Sequence, residues 1–229
     1  MHRFLGIFLL FLAAPVWGEK GAEKFSITGN VLTYDTETNI DKDHDAVEVA
    51  DVDVLRALLK ANPNITQITL NSSGGGYYAG FDMADLIIDY GLNTHVAGEC
   101  ISSCAFIFLG GAKRTMEKGS KLGFHNNSWA ASSIEEFYNN KKTRYNWSTP
   151  FDLSSWLYQD TQEEVFTELE YFLERGVDAR FAIQSIRDRG DDIWYPRRRE
   201  LTRAGVLREL DKVGDCDGIV DCLLPKRKQ

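Results

Sequence analysis

Twice in the middle of the chain an apolar strand runs into a turn of small residues and then into an apolar helix. That repeat restricts the fold more than any other feature. Ile65-Thr-Gln-Ile-Thr-Leu70 is rich in β-branched residues and reads as a strand, which Asn71-Ser-Ser-Gly-Gly-Gly76 breaks. Tyr77 to Tyr90 then carries apolar residues at 77, 81, 84, 87 and 88, a helical stripe ended by Gly91. Asn93 to Gly98 starts the pattern again. Cys100-Ile-Ser-Ser-Cys104 supplies the turn, and Ser102 to Leu109 reads as a short buried helix. Lys121 to His125 is once more strand-like. Strands that alternate with helices across tight turns predict an α/β fold with parallel strands.

The flanks are less regular. Phe25 to Tyr34 alternates and reads as one strand, and 36–45 is a polar, acid-rich loop. Val52 to Lys60 reads as a helix stopped by Asn62-Pro63. Residues 126–150 are polar and aromatic without a clear period, an excursion from the repeat. Phe151 to Arg175 is a long amphipathic helix with Phe166, Leu169 and Phe172 assigned to one face. Val177 to Arg187 is a second helix, Asp188 to Arg199 a charged loop, and Glu200 to Leu210 a short helix and strand.

The chain opens with Met-His-Arg, an apolar run from Phe4 to Ala14, and small residues near Gly18. This reads as a signal peptide, residues 1–18, and predicts a periplasmic or secreted protein. The run is too short for a comfortable membrane span, so no membrane attachment is expected after cleavage, an uncleaved anchor being the alternative. Residues 19–229 then form a single domain. Losing Arg3 leaves 25 basic against 34 acidic side chains, a net charge of −9. That excludes a general binder of nucleic acid or anionic lipid. Cys100, Cys104, Cys216 and Cys222 lie in two close pairs. An even count in an exported chain argues for two disulfides, and neighbour pairing is the simplest of three connectivities.

Ser102 is the first candidate for chemistry. At a strand-to-helix turn its hydroxyl can point outward beside unpaired backbone N–H groups, which favour negative charge. It can equally be a plain helix N-cap. Ser73-Gly74-Gly75-Gly76 leaves unobstructed N–H groups after a strand, suiting half of an oxyanion hole or only a tight turn. It lacks the endings of phosphate-binding and dinucleotide motifs. Beyond the leader the histidines are His44, His95 and His125. His44 lies in the acidic loop and His95 within a strand. His125 ends a strand, where an imidazole can emerge to accept a serine proton. The acidic stretches Asp41-x-Asp43-x-Asp45 and Asp215-Cys-Asp217-Gly218 lack the full pattern of a calcium loop, so no metal is expected.

Taken in order, Asn71-Ser72-Ser73-Gly74-Gly75, Gly98-x-x-x-Ser102-x-x-Ala105-Phe106 and Gly123-Phe124-His125 resemble the Clp-type serine protease family, within the wider Clp/crotonase superfamily. There a strand ending in Asn-Ser-Pro-Gly-Gly leads into a helix. A Gly-x-Ala-Ala-Ser-Met turn carries the nucleophile, and a histidine follows after roughly two dozen residues. Ser102 and His125 are 23 apart. The segment Trp194 to Leu207, ending Leu-Thr-Arg-Ala-Gly-Val-Leu, resembles a later family segment. The likeness covers roughly residues 26–210.

The resemblance implies a repeated β-β-α superhelix with a long additional helix. It implies Ser102 as nucleophile, His125 as base, the N–H groups of Gly75 and Ser103 as oxyanion hole, and an acid at Asp188, with Asp191 and Asp192 as close competitors. It implies a peptide or unfolded-protein substrate, a homo-oligomer, and no cofactor. The sequence departs from the family at Ser73, which replaces the proline, and at Ser103, which replaces the methionine. Ser103 is therefore an alternative nucleophile. Cys100 and Cys104 flank the turn, and a bridge between them would span Ser102. A serine–lysine dyad would need Lys113, Lys118 or Lys121. A crotonase-like acyl-thioester enzyme and a non-catalytic binding protein on the same scaffold are the competing functions.

Overall fold

One six-stranded sheet organises the chain, which a computed structural model describes at residues 20–38, 45–187, 190 and 192–209. The expected leader and Asp188, Asp191, Cys216, Cys222 and His44 lie outside these residues. The strands are β1 (Phe25–Thr28), β2 (Val31–Asp35), β3 (Gln67–Ser72), β4 (Asn93–Ile101), β5 (Arg114–Met116) and β6 (Lys121–Gly123). β1 pairs antiparallel with β2, and β2, β3 and β4 run parallel. β5 and β6 both run parallel to β4, β5 against Thr94 to Val96 and β6 against Glu99 to Ile101. The α/β class with parallel strands read from the sequence is what the chain forms.

The helices are α1 (Val49–Ala61), α2 (Tyr77–Asp89), α3 (Ser103–Leu109), α4 (Ala131–Tyr145), α5 (Pro150–Glu174), α6 (Ala179–Ser185) and α7 (Arg198–Arg203). α2 buries Ala79, Gly80, Met83, Ala84, Leu86 and Ile87, the three- and four-residue stripe of a one-sided helix. Every residue of α3 is buried, so this short element is apolar all round apart from Ser103. Gly80 allows the two helices to touch: a Cβ there would stand 2.8 Å from the Ser103 Cβ. Small residues at such crossings set how closely backbones approach.

Two buried cations tie distant parts together. Arg114 donates to the carbonyl oxygens of Leu109, Arg175 and Gly205, joining the ends of α3 and α5 to the turn after α7. Burial, with Arg175 and Arg208 nearby, lowers its pKa to about 9. Lys24 is paired with Asp51 at 3.0 Å and also donates to Ala46 O at 2.8 Å. Tyr34 donates to the same Asp51 carboxylate, so the buried pair is hydrogen-bonded on both sides.

Several sequence expectations change. Phe25 to Tyr34 is not one strand but a hairpin, reversed at Gly29-Asn30 where Gly29 has φ +62°. The supposed excursion 126–150 contains α4. That helix buries no residue, so it has no apolar stripe from which a period could be read. On α5 the buried residues are Leu153, Glu168, Tyr171 and Phe172, whereas Phe166 is 58% exposed. Residues three apart drift about 60° around a helix, so a face drawn through 166, 169 and 172 slides off the core.

Candidate active site

The site is built where β4 ends. Leu70 pairs with Val96, but Ser72 pairs with Cys100, so β4 spends two more residues than β3 over that step. The irregularity sits at Gly98, φ +114°, with Asn71 Oδ1 packed against it and accepting from Glu99 N. Such bulges bend a strand and re-aim the residues that follow. Ser102 follows. Its backbone has φ 59° and ψ −129°, outside the ordinary regions for a residue bearing a Cβ. Ser102 stands at the N-cap position of α3, yet its side chain makes no cap hydrogen bond. Ser102 is thus an N-cap by position, as one reading of the sequence has it, and its side chain does no capping.

Ser103, by contrast, is sealed in. It is 1% exposed, packed under Gly80, and its Oγ has no hydrogen-bond partner. Its N–H is a different matter, since it has no partner among the described residues and adjoins the glycine turn. A Cβ on Gly74 would lie 3.1 Å from Ser103 N.

The glycine turn is held from three sides. Ser73 N donates to Glu37 Oε1, Gly74 N to Ser72 Oγ, and Gly76 N to Val47 O. Among the N–H groups of 73–76, only that of Gly75 has no partner among the described residues. Gly75 is exposed, with φ +148°, and its open side faces Val47 and Ala46 so closely that a Cβ would lie 2.5 Å from Val47 N. The segment 46–48 is in turn anchored by Lys24 and Asp51. Nothing in the sequence signals Val47 as the cradle of Gly75, because the contact is made by its backbone.

His125 follows β6, the strand next to β4. Ile101 pairs with Gly123, and Ser102 N donates to Gly123 O at 3.2 Å, so Ser102 and His125 leave the same end of adjacent parallel strands. Phe124 exchanges both backbone hydrogen bonds with Trp194, which fastens the segment that carries Asp192, an exposed residue. His125 is half-buried. Its Nδ1 lies 2.8 Å from Asn126 O, and since a carbonyl only accepts, this contact makes Nδ1 the donor and leaves Nε2 as the nitrogen able to accept in the neutral ring. Neither Nε2 nor the Ser102 hydroxyl has a partner among the described residues, and no hydrogen bond joins them.

The other candidates fall elsewhere. His95 is half-buried in β4 with Nδ1 on Thr115 Oγ1. Lys121 lies opposite Glu99 at the start of β6 and is bound by that carboxylate at 2.6 Å, which raises its pKa and disfavours it as a base. Cys100 and Cys104 form a disulfide, with Cα atoms 5.2 Å apart, that brackets the Ser102 turn. This removes both as free thiol nucleophiles. Among the described residues no three His, Cys, Asp or Glu side chains gather as a metal site.

Acidic groups unremarked in the sequence lie beside the site. Glu168 of α5 is 5% exposed and accepts from Asn127 Nδ2 at 3.0 Å, two residues beyond His125. Burial, with Glu164 nearby, pushes its carboxyl up to about 7. Tyr77, directly after the glycine turn, donates to Glu164 O. Burial and the charges of Glu168 and Glu164 push its phenol well above the usual range.

No family profile matches the sequence, and no curated protein is detectably similar to it. In three dimensions the chain is similar to a point mutant of ClpP1 from Listeria monocytogenes. The TM-score is 0.51 at 13% identity, over 71% of this chain and 84% of that one. The fold is like that of ClpP1. At such low identity the likeness concerns the arrangement of strands and helices alone.

Proposed function

We propose that the chain is an exported serine hydrolase acting on peptide bonds, with the repeated β-β-α superhelix of the Clp/crotonase proteins as its scaffold. The observation that carries this reading is the backbone of Ser102. A non-glycine residue at φ 59° between a strand and a helix, its hydroxyl free of any cap, has the form of a nucleophile elbow.

In this reading Ser102 Oγ attacks the peptide carbonyl carbon and its proton passes to His125 Nε2. The oxyanion that forms is held by the N–H groups of Gly75 and Ser103. His125 returns the proton to the departing amine, leaving an acyl group on Ser102. Water attacks that ester, its proton again taken by His125 and then passed to Ser102 Oγ as the acid is released. The hydrogen bond between Ser102 and His125 forms as substrate closes the site, since such contacts are often long without ligand. Asp188 is the proposed orienting acid. Asn126 O accepts from Nδ1, which is the tautomer this chemistry needs, and the acid would take its place there. Flexible or unfolded peptides in the periplasm or outside the cell are the proposed substrates, and a homo-oligomer the proposed assembly.

A second reading is a binding protein without turnover, favoured by the absence of a Ser102–His125 hydrogen bond. A fluorophosphonate probe separates the two. For the hydrolase, the full chain is labelled, Ser102→Ala lowers labelling by at least about a thousandfold, and Ser103→Ala, which keeps its N–H, is still labelled. An unlabelled chain at every pH between about 6 and 9 decides for the binding protein.

A further inference from the structure

A cavity of about 350 Å³ opens one residue beyond His125. Asn126, Asn127 and Trp129 form one wall, and Leu157, Thr161, Glu164 and Val165 of α5 form the other. Its size suits one long side chain rather than a folded domain. The walls are mixed, apolar at Trp129, Ile134, Leu157 and Val165, and the one ionisable group that lines the cavity is the Glu164 carboxylate.

We propose that this cavity is a subsite for a lysine or arginine side chain of the peptide substrate, with Glu164 as its counter-charge. The inference rests on the hydrolase reading for its substrate class, and on the cavity itself for its preference.

Three observations carry it. First, no cation answers the acids here. Glu164, Glu168 and Asp160 make no ion pair among the described residues, and the groups that face Glu164 are Asp160 and Glu168 of the same helix, Tyr77 and Tyr78 of α2, and the neutral amide of Asn127. Burial and Asp160 accordingly push the Glu164 carboxyl up, and a bound ammonium or guanidinium would relieve both effects. Second, the shape matches. The methylene stem of lysine or arginine packs along Trp129, Ile134 and Val165 while its charged head reaches Glu164. Third, the position is right. Asn126 lines the cavity and its carbonyl holds His125, so a side chain seated there keeps its own backbone beside the base.

The test separates binding from turnover by using the full chain carrying Ser102→Ala. Calorimetry compares blocked peptides that differ only at one residue, lysine, norleucine or glutamate. The lysine peptide is expected to bind about tenfold or more tightly than the norleucine peptide near pH 8. Adding Glu164→Gln should collapse that ratio to within about twofold, as should acidification, which protonates Glu164. Should Glu164→Gln fail to fold, Thr161→Lys, which sets an ammonium at the cavity wall, should collapse it too. Equal or tighter binding of norleucine, or a lysine preference that survives these variants, overturns the proposal. A chain that reacts with fluorophosphonate yet shows no lysine preference loses only the subsite. A chain that shows the preference and never reacts loses only the hydrolase.

Discussion

Gly74 is locked against Ser102: a Cβ at residue 74 would stand 2.7 Å from the Ser102 Cβ and 2.6 Å from the Ile101 carbonyl oxygen. Gly74 also has φ +97°, a conformation that a residue with a side chain adopts only under strain. The glycine turn and the serine turn are therefore one packed unit. Gly74→Ala should displace Ser102 and lower fluorophosphonate labelling by about a hundredfold, because small misplacements of a nucleophile are that costly. The accompanying loss of stability should be about 1–3 kcal/mol. A variant that folds normally and reacts at the wild-type rate would show that Ser102 is not held by this contact.

The Cys100–Cys104 bridge encloses Ser102 in a five-residue turn whose two cysteines are fully buried. It fixes the path from the end of β4 into α3. Reduction under mild denaturing conditions, followed by return to native buffer with reductant present, should slow labelling of Ser102 by about tenfold or more. Cys100→Ala with Cys104→Ala should behave alike, without any reductant. Equal labelling of oxidised, reduced and double-alanine chains would remove the bridge from the mechanism.

Ser103 and Ser102 look interchangeable in the sequence, and their surroundings are opposite. Ser103 Oγ is sealed between α2 and α3 without a partner, and a buried hydroxyl in that state costs about 1–3 kcal/mol. Ser103→Ala removes the orphaned oxygen and keeps the methylene contact with Gly80. Thermal unfolding should show this variant more stable than wild type by about 1 kcal/mol. A destabilised Ser103→Ala would mean that the hydroxyl has a partner, and the assignment of the nucleophile to Ser102 would weaken with it.

The repeat of strand, small-residue turn and helix could be read from the chain because buried parallel strands demand β-branched runs and their turns demand glycine. Ser102, the glycine turn and His125 stood out as a turn serine, unobstructed N–H groups and a strand-end imidazole, and the resemblance in motif and spacing then gave them roles. Burial then distinguished Ser102 from Ser103. Other features leave no such trace. The Gly29-Asn30 reversal keeps the alternation of one long strand, since both arms of a hairpin alternate. β5 is three residues long, too short for a period, and its Arg114 looks like a surface residue although its guanidinium is buried on carbonyl oxygens. Glu168 sits among acids on a polar-looking helix. Only the fold makes it a buried carboxyl, with Asn127 donating to it.

That burial predicts how stability depends on pH. The Glu168 carboxyl has a pKa of about 7 when folded against an ordinary value of 4.5. Below the ordinary value both folded and unfolded chains carry the proton, and the group contributes nothing. As pH rises toward about 7 the unfolded chain releases the proton while the folded one retains it, so stability falls through this window. Above it the loss is constant, at most about 3 kcal/mol. Glu168→Gln keeps an oxygen to accept from Asn127 and cannot ionise. Its stability gain over wild type should be near zero at about pH 4, grow through neutrality and level off by about pH 8. Denaturant midpoints across that range provide the check. A gain that is flat with pH, or a loss at about pH 8, would mean that the Glu168 carboxylate is paired in the folded chain and that the acids of α5 already have a counter-charge.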